Sequence, residues 1–546
     1  MMNETAWLGV TGFALFGLSK LYRLGVVKST IKTLPSLPGA TLFYGNTQQL
    51  WGFEGGKVHE EIGNIGSVVK VYGLAGDEHL YVSDPRALHH ILVKDQDGFE
   101  ESMGLTEATK LFWGKGLIGS VGDDHKKQRK MLNPVFSTAN LREIKPVFSQ
   151  VTKQLREGIA GAVRKGDGVV NILDWLSRAA LEYIGIGGLG YSFGALGENP
   201  NTVYGHAAEN LLPTAAPYFP FLPILPMVTT LLSAKTRRRI VELLPPVGVI
   251  KELKWVIDTM AQTAKDIYMA KKRALEDGEG DMKDTLTNGK DILTILMRAN
   301  MQVSEADRMP EHEVLGQMTT LIFAAYDTTS SSLSRILYLL SKNQTVQDEL
   351  RAEVLEVHEH HGDADPSYDQ LMSLPVLDSV VRETLRLHSP APFMTRVAKR
   401  DNVLPLAMPM PGTDGNAIRE VPIRKGQGLY IGIASINRSR AIYGPDAEEW
   451  KPARWRSPLP SSVSEAKIPG VYSNQLTFLG GGRACIGFTF AELEIKTVLY
   501  MLLCNFKFEP RADTISWKLT PVMIPYIKGR DDDRGQLPLK VSLLKH

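Results

Sequence analysis

The chain has 546 residues, a formal net charge of +2 and 43% apolar residues. This composition is enough for a large buried core, and the near-zero charge gives no reason to infer nucleic-acid binding. Two cysteines, Cys485 and Cys504, exclude a disulfide framework. Because no low-complexity linker divides the sequence, we expect one large domain behind a short N-terminal segment.

The N-terminal segment has the character of a membrane anchor. The chain carries no charge from Thr5 to Ser19, and it stays largely apolar to Val27. Spanning a bilayer takes about twenty residues, which requires Lys20 and Arg23 to snorkel. The basic residues follow the apolar stretch, so residues 1–28 are predicted to anchor a cytosolic domain. The alternative is a cleaved signal peptide, but the sequence shows neither a basic start nor a small-residue cleavage site.

Residues 29–40 follow as a hinge, because prolines 35 and 38 stiffen an extended connection. The remaining domain, 41–546, is predicted to be mainly α with a minor β region. A hairpin is expected over 68–82, and a helix opens at Ser83-Asp84-Pro85. Apolar spacing predicts helices over 145–163, 175–186, 247–273, 291–298 and about 311–341, with further strands only near 429–433 and 519–527.

Residues 211–227 are rich in proline, phenylalanine and leucine. The prolines should prevent a regular helix while the stretch stays apolar, and an exposed apolar loop marks a contact surface. The alternative is an ordinary loop that covers the core.

The most informative segment is the glycine-rich loop Phe478-Leu479-Gly480-Gly481-Gly482-Arg483-Ala484-Cys485-Ile486-Gly487. One interpretation is a turn before a helix with an inert, buried cysteine. The other is a haem-thiolate site, in which glycines let the backbone fold tightly around a macrocycle and direct amides at the sulfur. Arg483 is placed to pair with a haem propionate, and Phe478 to cover the sulfur.

The register Phe-x-x-Gly-x-Arg-x-Cys-x-Gly resembles the cytochrome P450 signature at every fixed position. This resemblance implies the cytochrome P450 fold, with a long central helix over haem b. It implies Cys485 as the ligand of the iron, with Phe478, Gly481, Arg483 and Gly487 as further cofactor-binding residues.

Within the long predicted helix, Leu321-Ile322-Phe323-Ala324-Ala325-Tyr326-Asp327-Thr328-Thr329 places an acid beside a hydroxyl among apolar residues. Buried polar groups need a reason. The segment resembles the oxygen-binding helix of the family, in which Asp327 and Thr328 would relay protons. Ala325 stands where the family usually has glycine. The alternative is a helix bend whose threonine bonds back to a carbonyl.

Two further resemblances concern the haem scaffold. Glu383 and Arg386 form a Glu-x-x-Arg pair on a helix that starts after Pro375, and Arg454 in Pro-Ala-Arg-Trp would complete a buried structural cluster. His125 and Arg129 resemble the propionate-binding Trp-x-x-x-Arg, with histidine in place of tryptophan, and Arg396 is a further propionate candidate. The lysines beside them, 126, 127 and 130, form either a solvated face or a docking surface for an acidic redox protein.

The resemblance also implies a distal pocket for a lipophilic substrate. The residues expected to line this pocket are Leu117, Ile118, Ala324, Ala325, Phe393, Met394, Val522 and Met523.

Together these features predict a cytochrome P450 monooxygenase anchored in the endoplasmic reticulum membrane. It would hydroxylate a lipophilic molecule with electrons from NADPH-cytochrome P450 reductase, with cytochrome b5 as a second candidate donor. The motif variants resemble fungal members, which suggests a terpenoid or similar secondary metabolite. Three alternatives remain open: a fatty-acid or xenobiotic hydroxylase, a peroxide-driven or isomerising haem-thiolate enzyme, and a haem carrier or sensor without turnover.

Overall fold

The structure, a computed structural model, describes residues 29–197, 203–215, 218–219, 222, 224–243, 248–277, 287, 289–305, 307–362, 365–472, 474–520, 522–530 and 534–544. The predicted anchor over residues 1–28 lies outside these ranges. Within them, no helix combines the length and the apolar character that crossing a bilayer requires. Residues 31–37 of the predicted hinge pack against the domain, since Ile31 and Leu34 are buried and Leu37 donates its amide to the Lys70 carbonyl.

Helices make up most of the described chain. Their bounds are α1 Thr47–Trp51, α2 Gly55–Glu61, α3 Pro85–His89, α4 Met103–Trp113, α5 Gly122–Leu132, α6 Thr138–Lys165, α7 Ile172–Glu182, α8 Val203–Ala215, α9 Leu225–Leu231, α10 Ala234–Leu243, α11 Gly248–Asp277, α12 Ile292–Gln302, α13 Glu311–Lys342, α14 Gln344–His361, α15 Tyr368–Met372, α16 Pro375–Leu387, α17 Ile433–Asn437, α18 Arg440–Tyr443, α19 Ser461–Ala466 and α20 Phe488–Asn505. A π-helical segment, Tyr183–Leu189, continues from α7.

The strands form small sheets at the edges of this helical body. They are β1 Val68–Tyr72, β2 Glu78–Val82, β3 Phe99–Glu100, β4 Val169–Asn171, β5 Phe393–Ala398, β6 Asn402–Pro411, β7 Ala417–Ile423, β8 Gly428–Gly432, β9 Phe506–Glu509, β10 Ile515–Leu519, β11 Met523–Ile527 and β12 Pro538–Leu543. One sheet has the order β1-β2-β8-β5-β3, and β4-β12-β9, β6-β7 and β10-β11 form the others.

The predicted fold class, mainly helical with a minor β region, is confirmed, and so is the hairpin of β1 and β2. The prediction of few further strands was wrong, because it missed β3, β4, β5, β6, β7, β9 and β12. Prolines 405, 409 and 411 lie in β6, which pairs on one side only with β7, and such an edge strand tolerates proline. The expectation of no helix over 211–227 was also wrong in part, since α8 continues through Pro213 to Ala215 and α9 begins at Leu225.

Two helices position the candidate site. Helix α13 crosses the middle of the molecule and packs against α7, α11, α16 and α20. Helix α20 is apolar on nearly all sides and almost fully buried, as expected for a helix in a core interior. Because α20 begins directly after the cysteine loop, its packing fixes that loop inside the protein.

Candidate active site

The cysteine loop ends at Gly487, one residue before α20. The Cys485 amide donates to the Phe478 carbonyl at 2.9 Å, which closes the loop. Burial raises the pKa of the Cys485 thiol, and an N–H donated by Gly487 and the positive charge of Arg129 offset part of this rise. The Cys485 side chain is nevertheless exposed. Because the Cys485 side chain is surrounded by protein and still has accessible surface, it faces a space inside the protein.

Two positions of the loop require glycine, because another part of the backbone lies too close to leave room for a side chain. Gly481 has φ +68°, and a Cβ there would lie 1.8 Å from the Leu92 carbonyl oxygen. A Cβ on Gly480 would lie 1.4 Å from the Pro469 carbonyl oxygen. Gly487 differs, because the protein atom nearest to a Cβ would be 3.8 Å away on Phe136. No contact with the described residues therefore requires glycine at position 487, whereas the close approach of a non-protein group would require it.

Four predicted propionate-binding residues come together from distant parts of the chain. Arg129 donates to the Ala484 carbonyl at 2.5 Å, next to the thiol. Burial lowers the pKa of His125 to about 3, and the nearby charges of Arg483, Arg129 and Arg396 contribute. His125 is therefore neutral near pH 7, and the positive charge of this cluster comes from three guanidinium groups.

Two acidic residues that were missed in the sequence lie among these cations. Arg483 pairs with Glu100 at 2.5 Å, and Arg396 pairs with Glu101 at 2.6 Å. No local pattern marks Glu100 or Glu101, since their partners lie about 300 residues or more further along the chain.

The acid and alcohol predicted for proton transfer lie near the middle of α13. The Thr328 hydroxyl donates to the Ala324 carbonyl at 2.8 Å, which is the back-bonding of the alternative interpretation. Ala324, Ala325 and Thr328 are all only partly buried although they belong to the central helix. These positions therefore leave open space beside the helix.

Asp327 lines a cavity of about 470 Å³ together with Tyr326, His206 and Glu209. Burial and, to a smaller extent, the charge of Glu209 raise the pKa of the Asp327 carboxyl to about 7. Glu209 and His206 are exposed. The cavity thus connects the carboxyl of Asp327 with titratable groups at the surface.

The three residues predicted to form a structural cluster lie in contact. Glu383 accepts from Arg386 at 2.8 Å and from Arg454 at 3.2 Å. Trp455 and the Lys451 amide donate to the same carboxylate at 2.9 and 3.1 Å. Both carboxylate oxygens of Glu383 therefore accept hydrogen bonds, as a buried carboxylate requires.

The predicted lining residues do not all face one space. Ile118, Ala324, Ala325, Met394 and Met523 are partly buried, whereas Leu117, Phe393 and Val522 are buried. Phe393 stacks on His59 with ring centroids 4.1 Å apart and meets Trp51 edge-on. Because side chains alternate along a strand, Met394 shares a face of β5 with Arg396, and Phe393 points to the other face.

The residues of this site fit haem. Cys485 supplies a thiol that already accepts an amide hydrogen bond, and the glycine at 487 leaves room beside it. Three arginines supply counter-charges for two propionates, and one of them, Arg396, has a buried Nη2 with no hydrogen-bond partner in the described part of the chain. An orphaned donor of this kind is expected where a ligand oxygen completes the site.

This fold and this site define a haem-thiolate oxidoreductase. The family model described as cytochrome P450 matches residues 35–526. The chain belongs to the cytochrome P450 family and is a monooxygenase of that family.

Curated fungal relatives cover nearly the whole chain. Cytochrome P450 monooxygenase 91 of Postia placenta is 42% identical, with 95% of each chain aligned. Cytochrome P450 monooxygenase 81 of the same fungus is 41% identical over 100% of this chain and 98% of its own length. The ganoderic acid synthetase of Ganoderma lucidum is 38% identical, again with 95% of each chain aligned.

Proposed function

We propose that the protein hydroxylates a lipophilic small molecule, with one oxygen atom from O₂ and electrons from NADPH delivered by NADPH-cytochrome P450 reductase. The observation that carries this proposal is the pair Asp327 and Thr328. A chain that only carried or sensed haem would gain nothing from an acid whose pKa is raised to about 7 within the central helix.

Haem bound through Cys485 would supply the chemistry of O₂ activation and insertion. The residues of the chain would hold the haem in position and deliver protons to the reaction. The Gly487 N–H and the Arg129 charge stabilise the sulfur anion, while Arg396 and Arg483 offer guanidinium groups to the propionates. We assign Asp327, whose pKa is raised to about 7, the role of holding a proton near neutral pH, and the Thr328 hydroxyl, which donates to the Ala324 carbonyl, the role of passing that proton on.

The natural substrate that we propose is a terpenoid or similar fungal secondary metabolite. The partly buried residues around the central helix are largely apolar, which favours binding by shape and burial. One relative is named for the synthesis of ganoderic acid, and this name supports a biosynthetic role. A fatty acid or a xenobiotic would fit the same apolar lining and is the second candidate class.

Membranes containing the chain and the reductase provide the test. They are incubated with terpenoids, fatty acids and xenobiotics under isotopically labelled O₂, and products are analysed by mass spectrometry. We expect an NADPH-dependent terpenoid product with one labelled oxygen, and no product from Cys485→Ser membranes. An unlabelled product would indicate peroxide-driven or isomerising chemistry. Haem binding without any product would favour a carrier, and a labelled fatty-acid product would shift the substrate class.

Replacing Thr328 tests the proton relay. We expect Thr328→Ala to bind haem normally but to form product about 10²-fold more slowly, within the range that a positioned proton-transfer group contributes. NADPH oxidation should continue, with reducing equivalents appearing as hydrogen peroxide. The amounts of product and of hydrogen peroxide formed per NADPH oxidised measure how the reducing equivalents are divided. Thr329→Ala, at the buried neighbouring threonine, serves as the control, and full coupling in Thr328→Ala would contradict the relay.

The raised pKa of Asp327 predicts a pH dependence of coupling. Below about pH 7 its carboxyl is mainly protonated and can donate, and above about pH 7 it is mainly ionised. Product per NADPH should therefore fall as the pH rises through 7. Asp327→Asn should form little product per NADPH, and this ratio should not fall as the pH rises through 7. If both proteins show the same decline, another group causes it.

We further propose that residues 1–28 anchor the protein in the endoplasmic reticulum membrane with the main domain in the cytosol. Their uncharged stretch supports this, as do exposed apolar side chains such as Leu231 at 67% and Leu243 at 83% exposure near the 211–227 segment. The protein should stay in the pellet after alkaline carbonate extraction, whereas a variant that begins at residue 29 should be released. Release of the full chain would contradict a spanning anchor.

A further inference from the structure

Glu101 lies directly across from Arg396 because of the strand register. In the short antiparallel pair of β3 and β5, Phe99 faces Ala398 and Glu100 faces Val397. One residue further along, the same register brings Glu101 opposite Arg396, and their side chains pair at 2.6 Å. Opposite charges at facing positions are the stabilising arrangement in antiparallel strands.

Glu100 makes a second bridge beside the first. Its Oε1 accepts from Arg483 at 2.5 Å, and its Oε2 accepts from the Gly122 amide at 3.1 Å. Gly122 is the first residue of α5, the helix that carries His125 and Arg129. Glu100 therefore ties the cysteine loop to the helix that completes the cation cluster.

The Glu101–Arg396 pair is the more buried of the two. Its side chains are 9% and 2% exposed. Arg396 uses Nη1 for Glu101 and for the Thr395 carbonyl, and its Nη2 is buried without a partner among the residues that the structure describes. Within the same residues, the Oε2 atom of Glu101 is also buried and has no partner. The ion pair therefore holds the Arg396 guanidinium in place and leaves its Nη2 available to a ligand oxygen. Because both side chains are buried, solvent screens their charges only weakly.

Positive and negative charges are nearly equal in number around the Glu101–Arg396 pair. Three guanidinium groups, those of Arg129, Arg396 and Arg483, face two glutamates, while His125 is neutral. Two haem propionates would bring the carboxylates to four against three cations. Negative charge beside a haem opposes the addition of an electron, because the reduced form carries one positive charge fewer.

We propose that Glu101 is a positioning residue with two effects: it holds Arg396 in place for a haem propionate, and its charge lowers the reduction potential of the bound haem. Glu100 supports the same arrangement through Arg483. The inference rests on haem binding by this family and is independent of the substrate and of the proton relay in the proposed function. Neither of its readouts requires turnover.

Two substitutions separate the two effects. Glu101→Gln keeps an oxygen that accepts from Arg396 but removes the charge, so we expect a more positive midpoint potential and unchanged haem retention. Glu101→Ala removes the acceptor as well, so haem should transfer to apomyoglobin several-fold faster. The potential is measured by spectroelectrochemical titration of purified holoprotein, and haem transfer by the absorbance of the acceptor. Glu349→Gln, which removes the charge from a surface pair with Arg456, is the control.

Each result decides one part of the proposal. A Glu101→Gln midpoint equal to that of the wild type, or more negative, would overturn the role of the charge. Haem transfer from Glu101→Ala at the wild-type rate would overturn the positioning role. If the wild-type protein binds no haem, the inference fails together with the family-implied cofactor. If the wild type binds haem but forms no product, while Glu101→Gln and Glu101→Ala show their expected shifts, the inference stands and the proposed function fails.

Discussion

Replacing Cys485 with serine should abolish the absorption band of the reduced, carbon-monoxide-bound protein that is typical of thiolate-ligated haem. A serine hydroxyl does not ionise at neutral pH, so it cannot supply the anionic ligand that donates electron density to iron. The loop itself should persist, because its closure uses the Cys485 amide and glycine positions that the substitution leaves unchanged. Monooxygenase activity should be lost with the band.

The second cysteine provides the matched control. Cys504 lies in α20, is 2% exposed and donates weakly to the Val354 carbonyl at 3.7 Å. Its serine variant should keep the carbon-monoxide band, since a hydroxyl can donate to the same carbonyl and no ligand is lost. Difference spectra of both variants, with circular dichroism to verify folding, make the comparison. A normal band in folded Cys485→Ser would show that another group binds the iron.

The sequence revealed the parts of the site that lie in continuous motifs. The loop from Phe478 to Gly487, the segment Ala324 to Thr328, and the pair Glu383 and Arg386 each carry their chemistry within a few residues. A local pattern can specify such a unit, because its geometry follows from one turn or one helix face. The long helix α13 and the short hairpin were predictable for the same reason.

Glu100 and Glu101 were not predictable, because their significance depends on a strand pairing that closes across most of the chain. No signal in residues 99–101 indicates that Arg396 will lie opposite. The strands β6 and β7 escaped prediction for a related reason, since their prolines and exposed residues resemble a loop until the two strands pair. Because β5 was missed, Phe393 and Met394 were predicted to line one pocket, although the alternation of a strand turns neighbouring side chains to opposite faces.

The Glu383 cluster should have the largest effect on stability. Glu383, Arg386 and Arg454 have nearly no exposed side-chain surface. Burial raises the pKa of the Glu383 carboxyl, but the hydrogen bond and charge of Arg386, with the Lys451 amide and Trp455, outweigh it and lower the pKa overall. Glu383→Gln keeps the shape of the side chain but leaves the buried Arg386 without its anion, while Arg454 retains only its second carboxylate partner, the less buried Asp446. We expect it to lower the free energy of unfolding by about 3–5 kcal/mol.

Denaturant unfolding of holoprotein, followed by haem absorbance and circular dichroism, measures this loss. Asp369→Asn removes the acid of an exposed pair with Arg142 and should cost less than about 1 kcal/mol. Because folding lowers the pKa of Glu383, its contribution is complete above the pKa of the unfolded chain and is lost as the pH falls through the folded pKa. The gap between wild type and Glu383→Gln should therefore narrow on acidification. Equal losses for Glu383→Gln and Asp369→Asn at neutral pH would show that the buried cluster does not stabilise the haem-side scaffold.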